Sequence, residues 1–345
     1  MADVLTVSSL KAYYQTNYFG VQREVRAVDD ISITVRADEV YGIAGESSSG
    51  KTTLIKTFAG AIHPPLRIVG GSMRYRFDGG EIDPYAVSAE ELNRLRWRHV
   101  SYIMQGSMSV LNPVRRIQRS FADFAYDHME LSKPRFRQAV EEHLERLSLS
   151  PDVLRAYPHE LSGGMRQRVT IALATVCRPG FIIADEPTTA LDVVVQKDVL
   201  ALLDDIRRSL RSSVVFVTHD MSVHANMADR IGIMYAGRIV EEGPTRALFT
   251  EPKHPYTAHL VASLPRIGDA SRKPALGGRP PALSDPPGGC RFHPRCPLAI
   301  AKCRTEVPPL EMVGADHRSA CWRSAEVEPP EPSAPARGAA EGAPA

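Results

Sequence analysis

The sequence predicts an α/β fold with a mostly parallel sheet, followed by a smaller C-terminal part. An apolar strand, a glycine-containing loop and a helix-prone segment follow one another between residues 39 and 62. Two further apolar strands, FIIAD at 181–185 and SVVFVTHD at 213–220, flank an amphipathic segment at 193–210. Strands that alternate with helices are typical of a parallel sheet whose faces are covered by helices.

Bulk composition excludes several classes of protein. The chain has 345 residues, of which 43% are hydrophobic and 24% charged, so one large domain and a smaller one can form. A net charge of +2 gives no strong attraction to nucleic acid or to acidic membranes. The N-terminus lacks a basic stretch followed by an apolar run, and no apolar run reaches the roughly 20 residues of a membrane span. We therefore expect a cytosolic protein with reduced thiols.

The first half of the chain divides into strands and then helices. VLTVSSL and DDISITV, at residues 4–10 and 29–35, alternate with period two and predict half-buried strands. Residues 88–98 predict a helix, and HVSYIMQ at 99–105 a short strand. Residues 113–160 predict a helical subdomain, because a set of apolar residues recurs there at helical spacing: Phe136, Val140, Leu144 and Leu147.

The C-terminal part differs in composition. RIGIMYAGRIVEEG at 230–243 predicts a hairpin, and the first domain is expected to end near residue 250. Proline and glycine become frequent beyond it, and residues 276–289 predict a linker. Residues 251–323 are expected to form a C-terminal extension, and residues 324–345, which lack apolar bulk, a disordered tail.

A phosphate-binding loop is predicted between the first apolar strand and its helix. GESSSGKT, Gly45–Thr52, fits G-x-x-x-x-G-K-[ST], in which backbone N–H groups and a helix N-terminus gather phosphate oxygens. Lys51 would reach the β- and γ-phosphates, and Thr52 would hold Mg²⁺. If Ser48 needs a positive φ, it costs about 1 kcal/mol. The alternative is a glycine turn with a chance lysine. The expected binding residues are Gly45, Glu46, Ser47, Ser48, Ser49, Gly50, Lys51, Thr52 and Thr53.

An acidic pair follows the strand at 181–185. In parallel sheets ligands bind at the carboxyl ends of strands, and this strand ends in Asp185 and Glu186. Asp185 suits a contact to Mg²⁺ through water, and Glu186 suits polarisation of an attacking water. Taken alone, such a pair is more often a solvated turn.

The segment LSGGMRQRV, Leu161–Val169, resembles the signature of the ATP-binding cassette (ABC) ATPases, with Met165 in place of the usual glutamine. The resemblance covers about residues 3–250 and implies a P-loop NTPase with a RecA-like core, an N-terminal antiparallel β subdomain and a helical subdomain. It implies binding of ATP and Mg²⁺ and hydrolysis in a dimer. The signature residues would bind the ATP held by the opposite subunit; they are Ser162, Gly163 and Gly164.

The remaining motifs of that family occur in the same order. By resemblance, Gln105 senses Mg²⁺ and contacts membrane subunits, Asp192 lies in the loop that crosses the dimer interface, and His219 contacts the γ-phosphate. Tyr14 matches the aromatic residue that stacks on adenine, with Tyr13 as the neighbouring candidate and a plain strand-face tyrosine as the alternative.

Three further segments are similar to the oligopeptide and dipeptide permease branch: QGSMSVLNPV, YPHELSGGM and HPYTAHLVASLP. That branch implies a subunit on the cytoplasmic face of the inner membrane, partnered by a second ATPase (we expect a heterodimer), two transmembrane permease subunits and an extracytoplasmic solute-binding protein. Peptide is the expected solute, with oligosaccharide and nickel as alternatives, and no nucleic acid is expected.

Four of the five cysteines lie within 32 residues of the extension, at positions 290, 296, 303 and 321. By resemblance to the same branch, Cys290, Cys296, Cys303 and Cys321 would hold an iron–sulfur cluster, of [4Fe–4S] type. Zinc is the main alternative, although the C-x-x-C pairs usual in structural zinc sites are absent from this sequence. Unbound thiols are another alternative, and His293 or His317 could also ligate.

Other classes of ABC-type protein fit less well. A DNA-maintenance ATPase would carry a long coiled coil or zinc module between the loop and the signature, and that interval is only about 110 residues without heptads. A translation-type protein would need two cassettes in one chain. A regulatory subunit without turnover would be expected to lack Glu186 or His219, and both are present.

Overall fold

The computed structural model describes residues 2–77, 80–106, 110–188, 192–264 and 276–329. Its strands are β1 (Asp3–Tyr18), β2 (Val21–Arg36), β3 (Val40–Ala44), β4 (Leu66–Phe77), β5 (Gly80–Ile82), β6 (Val100–Ile103), β7 (Phe181–Asp185), β8 (Ser213–Val217), β9 (Arg230–Tyr235), β10 (Arg238–Pro244), β11 (Glu311–Gly314) and β12 (His317–Ser319). Its α-helices are α1 (Lys51–Phe58), α2 (Ala89–Arg98), α3 (Ile117–Met129), α4 (Lys133–Arg146), α5 (Gly163–Thr175), α6 (Val193–Leu210), α7 (Met221–Met227), α8 (Thr245–Thr250), α9 (Pro255–Ala262) and α10 (Lys302–Thr305).

The central sheet has the order β11-β12-β10-β9-β3-β8-β7-β6, and its strands from β9 to β6 run parallel. The predicted α/β class with a mostly parallel sheet is therefore confirmed. β3 and β7 both pair in parallel with β8, which places their carboxyl ends at the same end of the sheet. The phosphate loop and the acidic pair follow these strand ends, so the sheet brings together two motifs that are about 140 residues apart.

A second, antiparallel sheet has the order β2-β1-β4-β5. The two predicted N-terminal strands are present as the longer hairpin partners β1 and β2. Their inward residues pack on α1: Leu5, Ile31 and Ile33 share one apolar cluster with Leu54 and Phe58. β4 and β5, which complete this sheet, were not predicted from the sequence.

Residues 113–160, which were predicted to be helical, contain α3, α4 and two short 3₁₀ helices, Pro151–Arg155 and Pro158–Glu160. The four apolar residues at helical spacing, on α4 and directly after it, are all buried, with exposed fractions of 8% or less. They pack in one cluster with α3, α5 and the buried faces of β7 and β8. The cluster joins the helical segment to the central sheet.

The extension continues the central sheet. β12 pairs with β10 through Glu241↔Ser319 and Glu242↔Arg318, and β11 pairs with β12. The predicted linker at 276–289 contains no helix or strand, and the Leu283 carbonyl accepts a hydrogen bond from the Arg26 N–H at 2.9 Å. The tail expected from residue 324 begins with a short 3₁₀ helix, Ser324–Glu326, and residues 330–345 lie outside the described part. No helix in the described ranges has the length and apolarity that crossing a bilayer requires.

Candidate nucleotide-binding site

The loop from Gly45 to Thr52 connects β3 to α1 and depends on glycine at both ends. Gly45 has a φ of 150° and Gly50 a φ of 105°, a backbone region that L side chains rarely adopt. A Cβ at position 45 would lie closer than 3.0 Å to the Met234 carbonyl oxygen, and one at position 50 equally close to the Ala27 carbonyl oxygen. The two strands behind the loop thus exclude any larger residue.

Ser48 has a φ of 63°, so the positive φ on which the predicted cost depends is present. Its side chain is exposed, so packing does not offset the cost, which is about 1 kcal/mol.

Lys51 is buried beneath the loop, with an exposed fraction of 7%. Its Nζ donates hydrogen bonds to the carbonyl oxygens of Gly45 and Glu46, both at 2.8 Å. Burial lowers the pKa of Lys51, while the nearby carboxylates of Glu186 and Asp185 act in the opposite direction. The ammonium group is therefore held inside the hollow where phosphate oxygens are expected.

Asp185 is fully buried at the end of β7. Its Oδ1 lies 3.5 Å from the Thr52 Oγ1, and its Oδ2 lies 3.5 Å from the Tyr102 hydroxyl. Burial and the charge of Glu186 raise the pKa of Asp185. Hydroxyl and carboxylate oxygens are ligands that Mg²⁺ prefers, so Thr52 and Asp185, which were predicted separately, fit a magnesium site.

Glu186 lies beside two other predicted catalytic residues. The Gln105 Nε2 donates to the Glu186 Oε2 at 2.9 Å, and the His219 Nδ1 lies 3.6 Å from the Glu186 Oε1. Gln105 follows β6 and His219 follows β8, so three strand ends contribute one side chain each. A carboxylate held between an amide and an imidazole is arranged to accept a proton from water.

The predicted signature residues lie at the start of α5, where Ser162 is exposed and Gly163 and Gly164 are half-buried, and Asp192 lies at the start of α6. Ser162 caps α5 by accepting a hydrogen bond from the Met165 N–H at 3.3 Å, and the Cβ position of Gly163 is open. Asp192 caps α6 in the same way, through the Val195 N–H at 3.0 Å. The loop that carries Asp192 includes residues 189–191, which the structure does not describe.

The two adjacent tyrosines of β1 differ in environment. Tyr13 is buried and its hydroxyl donates to the Asp29 carboxylate. Tyr14 is partly buried, and its hydroxyl lies 3.2 Å from the Thr53 Oγ1 on α1. Tyr14 is therefore the one beside the nucleotide loop, and its stacking on adenine remains a prediction.

Three residues that touch this site were not predicted. Tyr102 contacts Asp185, the Tyr256 hydroxyl accepts a hydrogen bond from the Glu46 N–H at 2.7 Å, and Arg295 pairs with the Glu46 carboxylate. For Arg295 the available signal was Glu46 itself, because a nearby cation stabilises a carboxylate inside a phosphate loop.

The four cysteines of the extension lie near one another. Burial raises the pKa of Cys290, Cys296 and Cys321 to about 11 in each case. The negative charges of two other cysteines of the group contribute to the raised pKa of each of these thiols. The backbone N–H of Arg323 donates a hydrogen bond to the Cys321 Sγ at 3.4 Å. In the described ranges, however, no group of three or more His, Cys, Asp or Glu is disposed to hold a metal ion. The structure therefore does not support the expected iron–sulfur cluster.

The two histidines considered as further ligands have other partners. The His317 Nε2 lies 2.7 Å from the Glu241 Oε1, and both side chains are buried. The His293 Nδ1 lies 2.9 Å from the carbonyl oxygen of Cys290.

The phosphate loop, the acidic pair and the capped signature helix on this sheet define an ATP-binding cassette. Residues 28–189 match the ABC transporter family, and residues 240–303 match the oligopeptide/dipeptide transporter C-terminal region. The chain belongs to the ATP-binding proteins of ABC transporters and is an ABC-type ATPase. Among solved structures, a dimeric ATP-binding cassette, MJ0796 bound to ADP and Pi, is similar with a TM-score of 0.60, covering 70% of this chain and 99% of that one at 24% identity. That likeness shows the fold alone.

Relatives match over almost the whole chain. A putative peptide import ATP-binding protein of Brucella abortus is 38% identical, covering 94% of this chain and 98% of its own length. The dipeptide transport ATP-binding protein DppD of Caldanaerobacter subterraneus is 36% identical, with 95% and 99% covered. The oligopeptide transport ATP-binding protein OppD of Salmonella typhimurium is 39% identical, with 94% of each chain covered.

Proposed function

We propose that this chain hydrolyses ATP to power the import of peptides across the cytoplasmic membrane, on whose cytoplasmic face it is bound. The observation that carries the proposal is the full-length similarity to ATP-binding proteins named for peptide, dipeptide and oligopeptide transport. This similarity extends over the C-terminal region, where residues 240–303 match a family described as the oligopeptide/dipeptide transporter C-terminal region.

The residues divide the work of hydrolysis by their positions. Backbone N–H groups of the phosphate loop and the Lys51 ammonium bind the β- and γ-phosphates, and Thr52 with Asp185 would hold Mg²⁺, with Gln105 as the third predicted contact. The metal supplies charge neutralisation at the transferred phosphoryl group. Glu186 accepts the proton of the attacking water, and Gln105 and His219 keep its carboxylate aimed at that water.

A second ATPase subunit completes the site in this proposal. The starts of α5 and α6 carry Ser162, Gly163, Gly164 and Asp192, and a helix N-terminus favours a phosphate group. We propose a heterodimer in which each signature helix binds the ATP held by the other subunit. Two permease subunits and an extracytoplasmic solute-binding protein complete the importer, and closing of the dimer drives its conformational change.

The domain division is proposed as follows: an ATPase domain at 1–250 with a helical subdomain at 113–160, the extension at 251–323, and a tail. In the extension, the four thiolates of Cys290, Cys296, Cys303 and Cys321 would hold a [4Fe–4S] cluster. Support comes from the mutual proximity of these thiols. Iron and sulfide analysis of anaerobically purified protein tests it: about four of each per chain is expected, and zinc or no metal overturns it.

Hydrolysis is tested by Glu186→Gln, which keeps the side-chain shape and removes the base. Loss of a positioned base lowers turnover by about 100-fold or more, while ATP-dependent dimerisation persists. Glu145→Gln, at an exposed position on α4, is the matched control and keeps turnover. If the wild type reconstituted with its partners shows no turnover, the chain is a regulatory subunit instead.

The solute is tested in proteoliposomes that contain the permease subunits and the solute-binding protein. Peptides are expected to stimulate ATP hydrolysis and to accumulate inside. Stimulation by oligosaccharides or nickel, with none by peptides, overturns the peptide assignment and leaves the ATPase assignment intact.

A further inference from the structure

The phosphate loop contains an acid where it is expected to bind a polyanion. Glu46 is the first residue after Gly45, and its backbone carbonyl already accepts the Lys51 ammonium. A free carboxylate at this position repels phosphate and competes for the lysine. The loop therefore needs a partner that holds the Glu46 side chain in one place and neutralises it.

The structure shows that partner. The two terminal nitrogens of Arg295 donate to the two oxygens of the Glu46 carboxylate, at 2.7 and 3.0 Å, in the bidentate geometry that makes such pairs strong. Arg295 belongs to the C-terminal extension and is 249 residues away in sequence. Its side chain is only 5% exposed, and that of Glu46 is 26% exposed, so water screens the pair weakly.

Besides Glu46, Arg295 contacts two further residues, Gly277 and Tyr235. Its Nε donates to the Gly277 carbonyl oxygen at 3.0 Å, and its Nη1 also donates to the Tyr235 hydroxyl at 3.2 Å. The guanidinium group lies 5.9 Å from the centre of the Tyr235 ring. The arginine is thus a rigid support for the loop, because most of its donors are already used.

The same segment supports the other side of the loop. Arg291, four residues before Arg295, donates to the carbonyl oxygen of Ala236 and pairs with Asp29. Gly237, which follows Ala236 in the chain, donates its N–H to the Ser49 carbonyl oxygen at 2.8 Å. Both arginines lie between two cysteines of the extension, at positions 290 and 296.

We infer that Arg295 of the C-terminal extension is a positioning residue for the nucleotide site. Arg295 holds the Glu46 carboxylate away from the triphosphate and fixes the start of the phosphate loop. The inference rests on the proposed function, in that the loop binds ATP. It assigns the extension a direct part in nucleotide affinity, beyond any ligand that the cysteines hold.

The test is a double-mutant cycle with Arg295→Ala and Glu46→Gln, read out as the Kd of a fluorescent ATP analogue for the full chain purified anaerobically. Freeing the Glu46 carboxylate by Arg295→Ala is expected to weaken binding about tenfold. Glu46→Gln in the same background removes the charge and is expected to restore most of that affinity. Arg295→Lys keeps the charge without the bidentate geometry, so its affinity for the ATP analogue is expected to lie between those of the wild type and the alanine variant.

The control is Arg36→Ala. It removes a 2.7 Å ion pair between the ATPase domain and Asp316 of the extension and does not touch the loop. It is expected to keep wild-type affinity. The inference is overturned if Arg295→Ala binds the ATP analogue with wild-type affinity. It is also overturned if Arg295→Ala weakens binding by the same factor whether residue 46 is Glu or Gln. Failure of the wild type itself to bind ATP refutes the proposed function instead, so the two failures are distinguishable.

Discussion

Replacing Gly50 by alanine tests whether the path of the phosphate loop is set by the strands behind it. A φ of 105° is unfavourable for any residue with a Cβ, at a cost of about 1–3 kcal/mol. The new methyl group would also press on the Ala27 carbonyl oxygen, and such overpacking costs about 1–3 kcal/mol more. The smaller entropy of the unfolded alanine chain offsets about 0.4–1 kcal/mol. The expected loss in the free energy of unfolding is therefore about 1–6 kcal/mol.

Denaturant unfolding followed by circular dichroism measures this loss, and ATP binding in the same samples reports the loop itself. Gly80→Ala is the matched control, because Gly80 has a φ of 115° with open space around its Cβ position. It carries the strain without the clash, so it is expected to lose less stability than Gly50→Ala and to keep ATP affinity. If Gly50→Ala unfolds within about 0.5 kcal/mol of the wild type and binds ATP normally, the loop is not confined as described.

Two further predictions concern single residues. Ser48→Gly relieves a left-handed φ at an exposed position, so it is expected to leave stability equal or higher by up to about 1 kcal/mol, and a measured loss beyond about 0.5 kcal/mol refutes the strain. Burial lowers the pKa of His224 from 6.5 to about 4, so the unfolded chain binds its proton first and stability falls as the pH drops from about 6.5 towards 4. Within that window His224→Phe is expected to reduce the slope of unfolding free energy against pH by about 1.4 kcal/mol per unit, and an unchanged slope contradicts the assignment.

Local patterns in the sequence were sufficient for several elements. The predicted strand at 181–185 and the helix at 193–210 are present with those bounds, because uninterrupted apolar runs and helical periodicity are local signals. The strand predicted at 213–220 is present but ends at Val217, where the apolar run ends. The alternation of strand faces in the sequence did not determine whether Tyr13 or Tyr14 lies beside the nucleotide loop. The register of β1 against β2 shifts between Ala12 and Tyr14, and such irregularities break the alternation of faces.

The extension was predicted mainly from composition and from its cysteines, and its strands were missed. β11 and β12 are four and three residues long, too short for a periodic signal. They form because β10 offers a free edge, and because Glu242 there pairs with Arg318 of β12 and with Arg230 of β9. These are partners that only the folded chain brings together.

The sequence by itself determined the chemistry: which loop can cradle phosphate, which strand ends in an acidic pair and which helix begins with the signature. These properties are encoded in a few adjacent residues whose backbone geometry is fixed by glycine, strand or helix propensity. Only the tertiary structure decided that Gln105 reaches Glu186 and that Arg295 neutralises Glu46. Contacts between residues 81 and 249 positions apart depend on the order of strands in the sheet and on side-chain burial, which no local pattern contains.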